Sequence, residues 1–136
     1  MCLEKKREEI TKRLDLLGDP ISQCDYLMME GINRNTLSEI RKDEFRVGGC
    51  KTAIWVRTAL IGNRVRFEAD SDSLLVRGVL SLFDELYADA PVTEACKYPP
   101  LFTEHISEDV IYRDIKDNGL RKCYLRIQAL QEDETQ

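Results

Sequence analysis

Histidine occurs once in this chain of 136 residues, and no two cysteines are spaced as C-x-x-C. The first scarcity leaves His105 as the sole imidazole available to a Cys/His hydrolase. The second argues against a paired-cysteine zinc centre. Basic residues are in deficit, with 20 Lys and Arg against 25 Asp and Glu, for a net charge of −5 and a pI near 5.0. A nucleic-acid binder normally carries a basic excess, so no nucleic-acid partner is expected. No apolar run approaches the roughly 20 residues that a bilayer span requires. The opening MCLEKKREEI lacks the apolar stretch of a secretory signal. Repeats, low-complexity tracts and linkers are missing as well. The expectation is a single cytoplasmic domain with no membrane partner, its core within residues 19–130 and an acidic tail fraying over 131–136.

Five cysteines are present, at positions 2, 24, 50, 96 and 123. Their odd count and wide spacing predict free thiols rather than a disulfide framework. A free cysteine is most often a small apolar filler, and Cys24, Cys96 and Cys123 are read that way. Cys2 sits too near the chain end to have a site around it.

Periodicity divides the chain. Leu3, Ile10, Leu14 and Leu17 fall on one face of a helix ended by Gly18, and Asp19-Pro20 opens a second helix with Ile21, Cys24, Leu27 and Met28 inward. Residues 30–45 lack a period and read as loop with one helical turn. Strands are predicted over 52–61 and 64–69 around a Gly62-Asn63 turn, pairing Leu60 with Val65, Thr58 with Phe67 and Val56 with Ala69. Arg57, Arg64, Arg66 and Glu68 then share the opposite face with Trp55, whose ring needs a cover from the N-terminal helix or a partner. Asp72 or Ser73 caps a nearly all-apolar helix starting at Leu74. Gly78 in that helix implies a close backbone contact, with the strand pair as the candidate. Asp70, Asp72 and Asp84 read as capping or solvated surface rather than metal ligands. A short helix near 91–97 and a last one over 116–130 complete an α+β pattern: a small antiparallel sheet on a central hairpin, flanked by N- and C-terminal helices.

The stretch RVGGCKTAIW, residues 46–55, places Cys50 after two glycines and before a strand. One reading makes Cys50 the first buried strand residue. The other makes it a thiol carried at a loop tip, with Gly48 and Gly49 permitting a sharp turn. A reactive thiol gains from cations nearby, and Arg46 and Lys51 flank it in sequence. A Cys50–His105 hydrolase pair, and a soft-ligand metal site gathering Cys24, Cys50, Cys96, Cys123 and His105, are the competing chemistries.

Three blocks, RKDEFRVGGCKTAIW, FEADSDSLLVRGVL and DNGL, together resemble the SufE family, including its CsdE branch. Arg41, Glu44, Arg46, Val47, Gly49, Cys50 and Trp55 match the first family pattern without a gap. Ala69 to Ser73, Leu75, Val76 and Gly78 match the second, and Asn118 to Leu120 the third. Departures occur at Phe45, Lys51, Thr52 and Ile115-Lys116, and at Gln23, which stands where the family has arginine. The resemblance implies a SufE/IscU-like fold and a sulfur carrier. It implies that Cys50 accepts a persulfide from a PLP-dependent cysteine desulfurase of the SufS/CsdA kind, raises that enzyme's turnover, and passes the sulfur to a downstream acceptor or cluster scaffold. The chain itself would hold no cofactor, PLP belonging to the partner. Arg46, Gly48, Gly49, Lys51 and Thr52 would shape the loop, with Asp72 and Lys116 as neighbours. The alternative is an adaptor that binds a desulfurase or related enzyme without carrying sulfur.

Overall fold

The computed structural model describes residues 2–49 and 51–135, the last four of these by backbone alone. Two helices open the chain, α1 (Leu3–Leu17) and α2 (Pro20–Asn33). Gly18 ends α1 at φ +83°, and the Asp19 carboxylate caps α2 by accepting from the Ser22 N–H at 2.8 Å. Two 3₁₀ turns, Ser38–Ile40 and Asp43–Phe45, lead to the sheet of β1 (Arg46–Val47), β2 (Ile54–Ile61) and β3 (Arg64–Ser71). The strands are antiparallel in the order β1-β2-β3. Next come α3 (Leu74–Tyr87), a single turn α4 (Val92–Ala95), a π-helical turn Ile115–Leu120, and α5 (Arg121–Thr135). This is the expected α+β architecture. No helix among the described residues is long and apolar enough to cross a membrane.

The hairpin register matches expectation: Leu60 pairs with Val65, Thr58 with Phe67 and Val56 with Ala69, around Gly62 at φ +64°. Period-two alternation buries Ile54, Val56, Val65, Phe67 and Ala69, with β3 lying against α3 and β2 against α5; Val76, Val79, Leu80, Phe83 and Leu86 of α3 are sealed from solvent. The Ser73 hydroxyl, not Asp72, caps α3 by accepting from the Val76 N–H at 3.3 Å.

Four expectations are corrected. Gly78 packs against α2, not the strands: a Cβ there would lie 2.1 Å from the Leu27 carbonyl oxygen, and one on Gly31 would lie 2.0 Å from that of Leu74. This backbone-to-backbone contact fixes the rotation of α2, so Gln23, Leu27 and Gly31 face inward and Ile21 is 76% exposed. The Trp55 ring takes its cover from the chain's own arginines rather than from α1; the Arg41 guanidinium lies 4.9 Å from its ring centre and that of Arg46 6.0 Å. Residues 30–45 are more ordered than a loop, because α2 runs on to Asn33 and fully buried Ile40 pins the first 3₁₀ turn. Finally, Asp70 is neither a cap nor solvated, since it is completely buried.

Candidate functional site

The loop between β1 and β2 is held at both ends. On its near side the two residues of β1 pair Arg46 with Trp55 and Val47 with Ile54. Gly48 follows at φ +81°, a conformation costly to any residue with a Cβ. A Cβ there would also stand 3.1 Å from both the Asn118 carbonyl oxygen and the Gly119 Cα. The glycine is therefore required twice, by its dihedral and by the π-helical turn that it leans on. Gly49 is exposed, and a Cβ on it would meet nothing within 4 Å. Cys50 lies outside the described residues. Beyond it Lys51 is exposed and Thr52 half-buried.

The far end is clamped by the β3–α3 junction. The Asp72 carboxylate accepts from the Ala53 N–H at 3.1 Å. The Ala53 carbonyl accepts from the Ser71 hydroxyl at 2.7 Å and from the Asp72 N–H at 3.3 Å. The Ser71 oxygen in turn accepts from the Ser73 N–H at 3.1 Å. Ala53 is buried, so its paired amide and carbonyl give this side of the loop a fixed origin.

A buried carboxylate supports the approach to β1. Asp70 accepts from Arg41 Nε at 2.9 Å, from the Leu37 N–H at 3.1 Å and from the Ser71 N–H at 2.9 Å. Arg41 also donates to the Ser71 carbonyl at 3.1 Å. Burial alone would raise the Asp70 pKa, but the bonds from Arg41 and the two backbone amides outweigh it and hold the carboxyl below the ordinary aspartate range. This carboxylate staples residues 37–41 to the end of β3. Asp84 is different: Arg34 pairs with it, yet burial prevails and raises its pKa.

Geometry thus joins Gly48, Thr52–Ala53 and Asp72 with Asn118–Gly119, drawing the three sequence blocks to one place. Arg46 sits at the loop's root over Trp55. Lys116 is 5% exposed, its ammonium donates to the Ile106 carbonyl, and burial lowers its pKa. It lies where two concave regions of about 410 and 400 Å³ meet, neither lined by a described residue of the 46–53 loop. Gln23 braces the first of these, donating to the His105 carbonyl and accepting from the Ser107 N–H, both at 2.8 Å. His105 is exposed, its Nδ1 2.9 Å from Asp15 Oδ1 at the end of α1. Cys123 is buried, Cys24 and Cys96 half-buried, and Cys2 exposed. Among the described residues no three His, Cys, Asp or Glu side chains converge on a metal position.

Sequence reasoning missed Asp70, Ser71 and Arg41 as the loop's supports. By alternation Asp70 falls on the outward face with Glu68, opposite Trp55, and only the folded chain brings Arg41 onto it.

The chain is 32% identical over 120 residues to SufE-like protein 1, chloroplastic/mitochondrial, of Arabidopsis thaliana; the match takes in 87% of this chain but 32% of that longer protein. It is 26% identical over 116 residues to the uncharacterized SufE-like protein R01000 of Rhizobium meliloti (strain 1021), covering 76% and 79% of the two chains. The solution structure of a hypothetical protein from Thermus thermophilus has the same fold, with a TM-score of 0.72 at 19% identity over 96% and 97% of the chains. A family model, SufE: Fe-S metabolism associated domain, matches residues 8–131, and the chain belongs to the SufE family.

Proposed function

We propose that this protein is a sulfur carrier that loads Cys50 with a persulfide from a PLP-dependent cysteine desulfurase of the SufS/CsdA kind, stimulates that enzyme, and delivers the sulfur to an acceptor or cluster scaffold in iron–sulfur assembly. One observation supports this above others. Position 50 follows a left-handed Gly48 and an unencumbered Gly49, in a loop clamped at Ala53 and backed by Asn118–Gly119. Such a loop can present a side chain to another molecule while its roots stay in register.

The chemistry asks for no more than that. The Cys50 thiolate attacks the outer sulfur of the donor's persulfide, a new S–S bond forms on Cys50, the donor's own S–S bond breaks, and the donor cysteine leaves as a thiolate. Sulfur moves as a neutral atom with the electron pair returned to the donor, so no outside oxidant or reductant enters. The cofactor stays with the desulfurase. A free thiol near pKa 8.5 is only a small fraction thiolate at neutral pH. Arg46 and Lys51 supply positive charge on either side of the loop tip. The reaction needs a reducing compartment: the cytoplasm is one, and the chloroplast and mitochondrion named for the Arabidopsis relative are others.

The test is transfer of ³⁵S from labelled cysteine by a purified desulfurase, with mass spectrometry of the acceptor. A persulfide on Cys50, absent in Cys50→Ser together with the stimulation, is the expected result. Stimulation without label on either protein makes the chain an adaptor instead. Label on another residue overturns the role of Cys50.

A further inference from the structure

The chain is acidic as a whole, yet residues 41–66 hold seven Arg and Lys against two acidic residues, Asp43 and Glu44. The fold gathers much of this excess on one surface. In the observed register Arg46 stands opposite Trp55, Arg57 opposite Glu68, Ala59 opposite Arg66 and Ile61 opposite Arg64, all on the sheet face turned away from α3. The Trp55 end of that face is shielded by Arg41 and Phe45. Arg57 is held there too, in a two-pronged pair with Glu68 at 3.0 Å and over the Phe45 ring. The other end is open: Ala59, Arg64 and Arg66 are exposed, and Ile61 is 63% exposed. Glu68 serves both Arg57 and Arg66, at 3.0 and 3.5 Å. Among the described residues neither Arg46 nor Arg64 has a carboxylate within ion-pair distance, Arg64 donating instead to the Asp89 carbonyl. The result is an apolar centre, Ala59 and Ile61, rimmed by guanidinium groups, on the same sheet whose edge strand runs into the Cys50 loop.

We infer that the open sheet face at Ala59, Ile61, Arg64 and Arg66 is a docking surface for an acidic patch on the cysteine desulfurase, orienting it over the Cys50 loop. The inference rests on the sulfur-carrier reading. Charge complementarity selects the occupant. Its unpaired guanidinium groups attract an acidic protein surface to this face of an otherwise net-acidic chain. Arginine is also among the residues enriched at protein-binding hot spots. β1 pairs only with Trp55 and Ile54, so the root of the loop lies at the shielded end of the face, and a partner seated on the open end reaches it along the length of β2.

The experiment measures association of the full-length protein with the desulfurase that loads Cys50 in the transfer assay, at 50 and 500 mM salt. The R64E/R66E variant is expected to slow association about tenfold at low salt and to flatten the salt dependence. R66E alone, which loses only the contact to Glu68, gives a smaller slowing and guards against misfolding of the double variant. K5E/K12E, with the same change in net charge on α1, keeps the parent's rate. Loading of Cys50 by inorganic polysulfide stays at the parent level in every variant, separating docking from carrier chemistry. Unchanged association of R64E/R66E with a desulfurase that still loads Cys50 overturns the docking surface and leaves the carrier reading intact. Equal slowing by K5E/K12E also overturns it, since overall charge would then be the cause. Tighter salt-dependent binding of an RNA oligonucleotide than of the desulfurase, lost in R64E/R66E, reassigns the face to nucleic acid. If no desulfurase loads Cys50, the carrier reading falls and this inference with it.

Discussion

Glycine does different work in two parts of this molecule. Between α2 and α3, Gly31 and Gly78 let two backbones touch: an added Cβ would sit about 2 Å from a carbonyl oxygen of the facing helix. In the loop before Cys50, Gly48 supplies a left-handed turn and Gly49 faces open space. The first pair fixes the framework, Gly48 fixes the root of the loop, and Gly49 alone stands clear of its surroundings. A carrier needs both, because a thiol offered to another molecule is useful only when its mooring is rigid.

Substitutions can break this contrast. Gly78→Ala should have the largest effect, since backbone cannot move aside as a side chain would; a loss of about 3 kcal/mol or more in urea denaturation is expected, at the severe end of overpacking. Asp70→Asn comes next, at about 3 kcal/mol, because it removes the counter-charge that Arg41 and the largely buried Arg77 face. Its pH dependence sharpens the assignment. The Asp70 carboxyl titrates below its ordinary value in the folded protein, so its contribution is complete above about pH 4 and is lost as the pH falls below that. The stability difference between parent and Asp70→Asn should therefore shrink on acidification through that range, as followed by thermal melting. Gly48→Ala should cost about 1–2 kcal/mol for its left-handed backbone, and should also slow persulfide acquisition by Cys50. Gly49→Ala should change stability by no more than about 0.5 kcal/mol. If Gly49→Ala proved as harmful as Gly78→Ala, the distinction between mooring and freedom would fail.

Much of this was legible before any coordinates. Alternation over Trp55 to Ala69 determined the hairpin register, since a one-residue slip would have put Arg57 and Arg66 into the core. The Asp19-Pro20 and Ser73 helix starts follow from capping chemistry. What escaped depended on distance in three dimensions. Nothing in VRGVL says that Gly78 meets α2 rather than the sheet, because a helix glycine announces a close neighbour without naming it. Likewise, solvation of Asp70 was the natural reading of ADSDS until segment 37–41 folded over it. For the site, the sequence singled out the 46–52 loop, Asp72 and Lys116; the structure adds that the Lys116 ammonium donates to the Ile106 carbonyl.

Trp55 has a use beyond packing. It is the sole indole of the chain, with the guanidinium groups of Arg41 and Arg46 over its ring. Arg41 is anchored to Asp70, whereas Arg46 belongs to a strand of two residues at the root of the thiol loop. Peeling of that strand removes one of the two cations from the fluorophore and leaves the other in place. Emission at Trp55 should therefore respond to any separation of β1 from β2, with no attached dye needed.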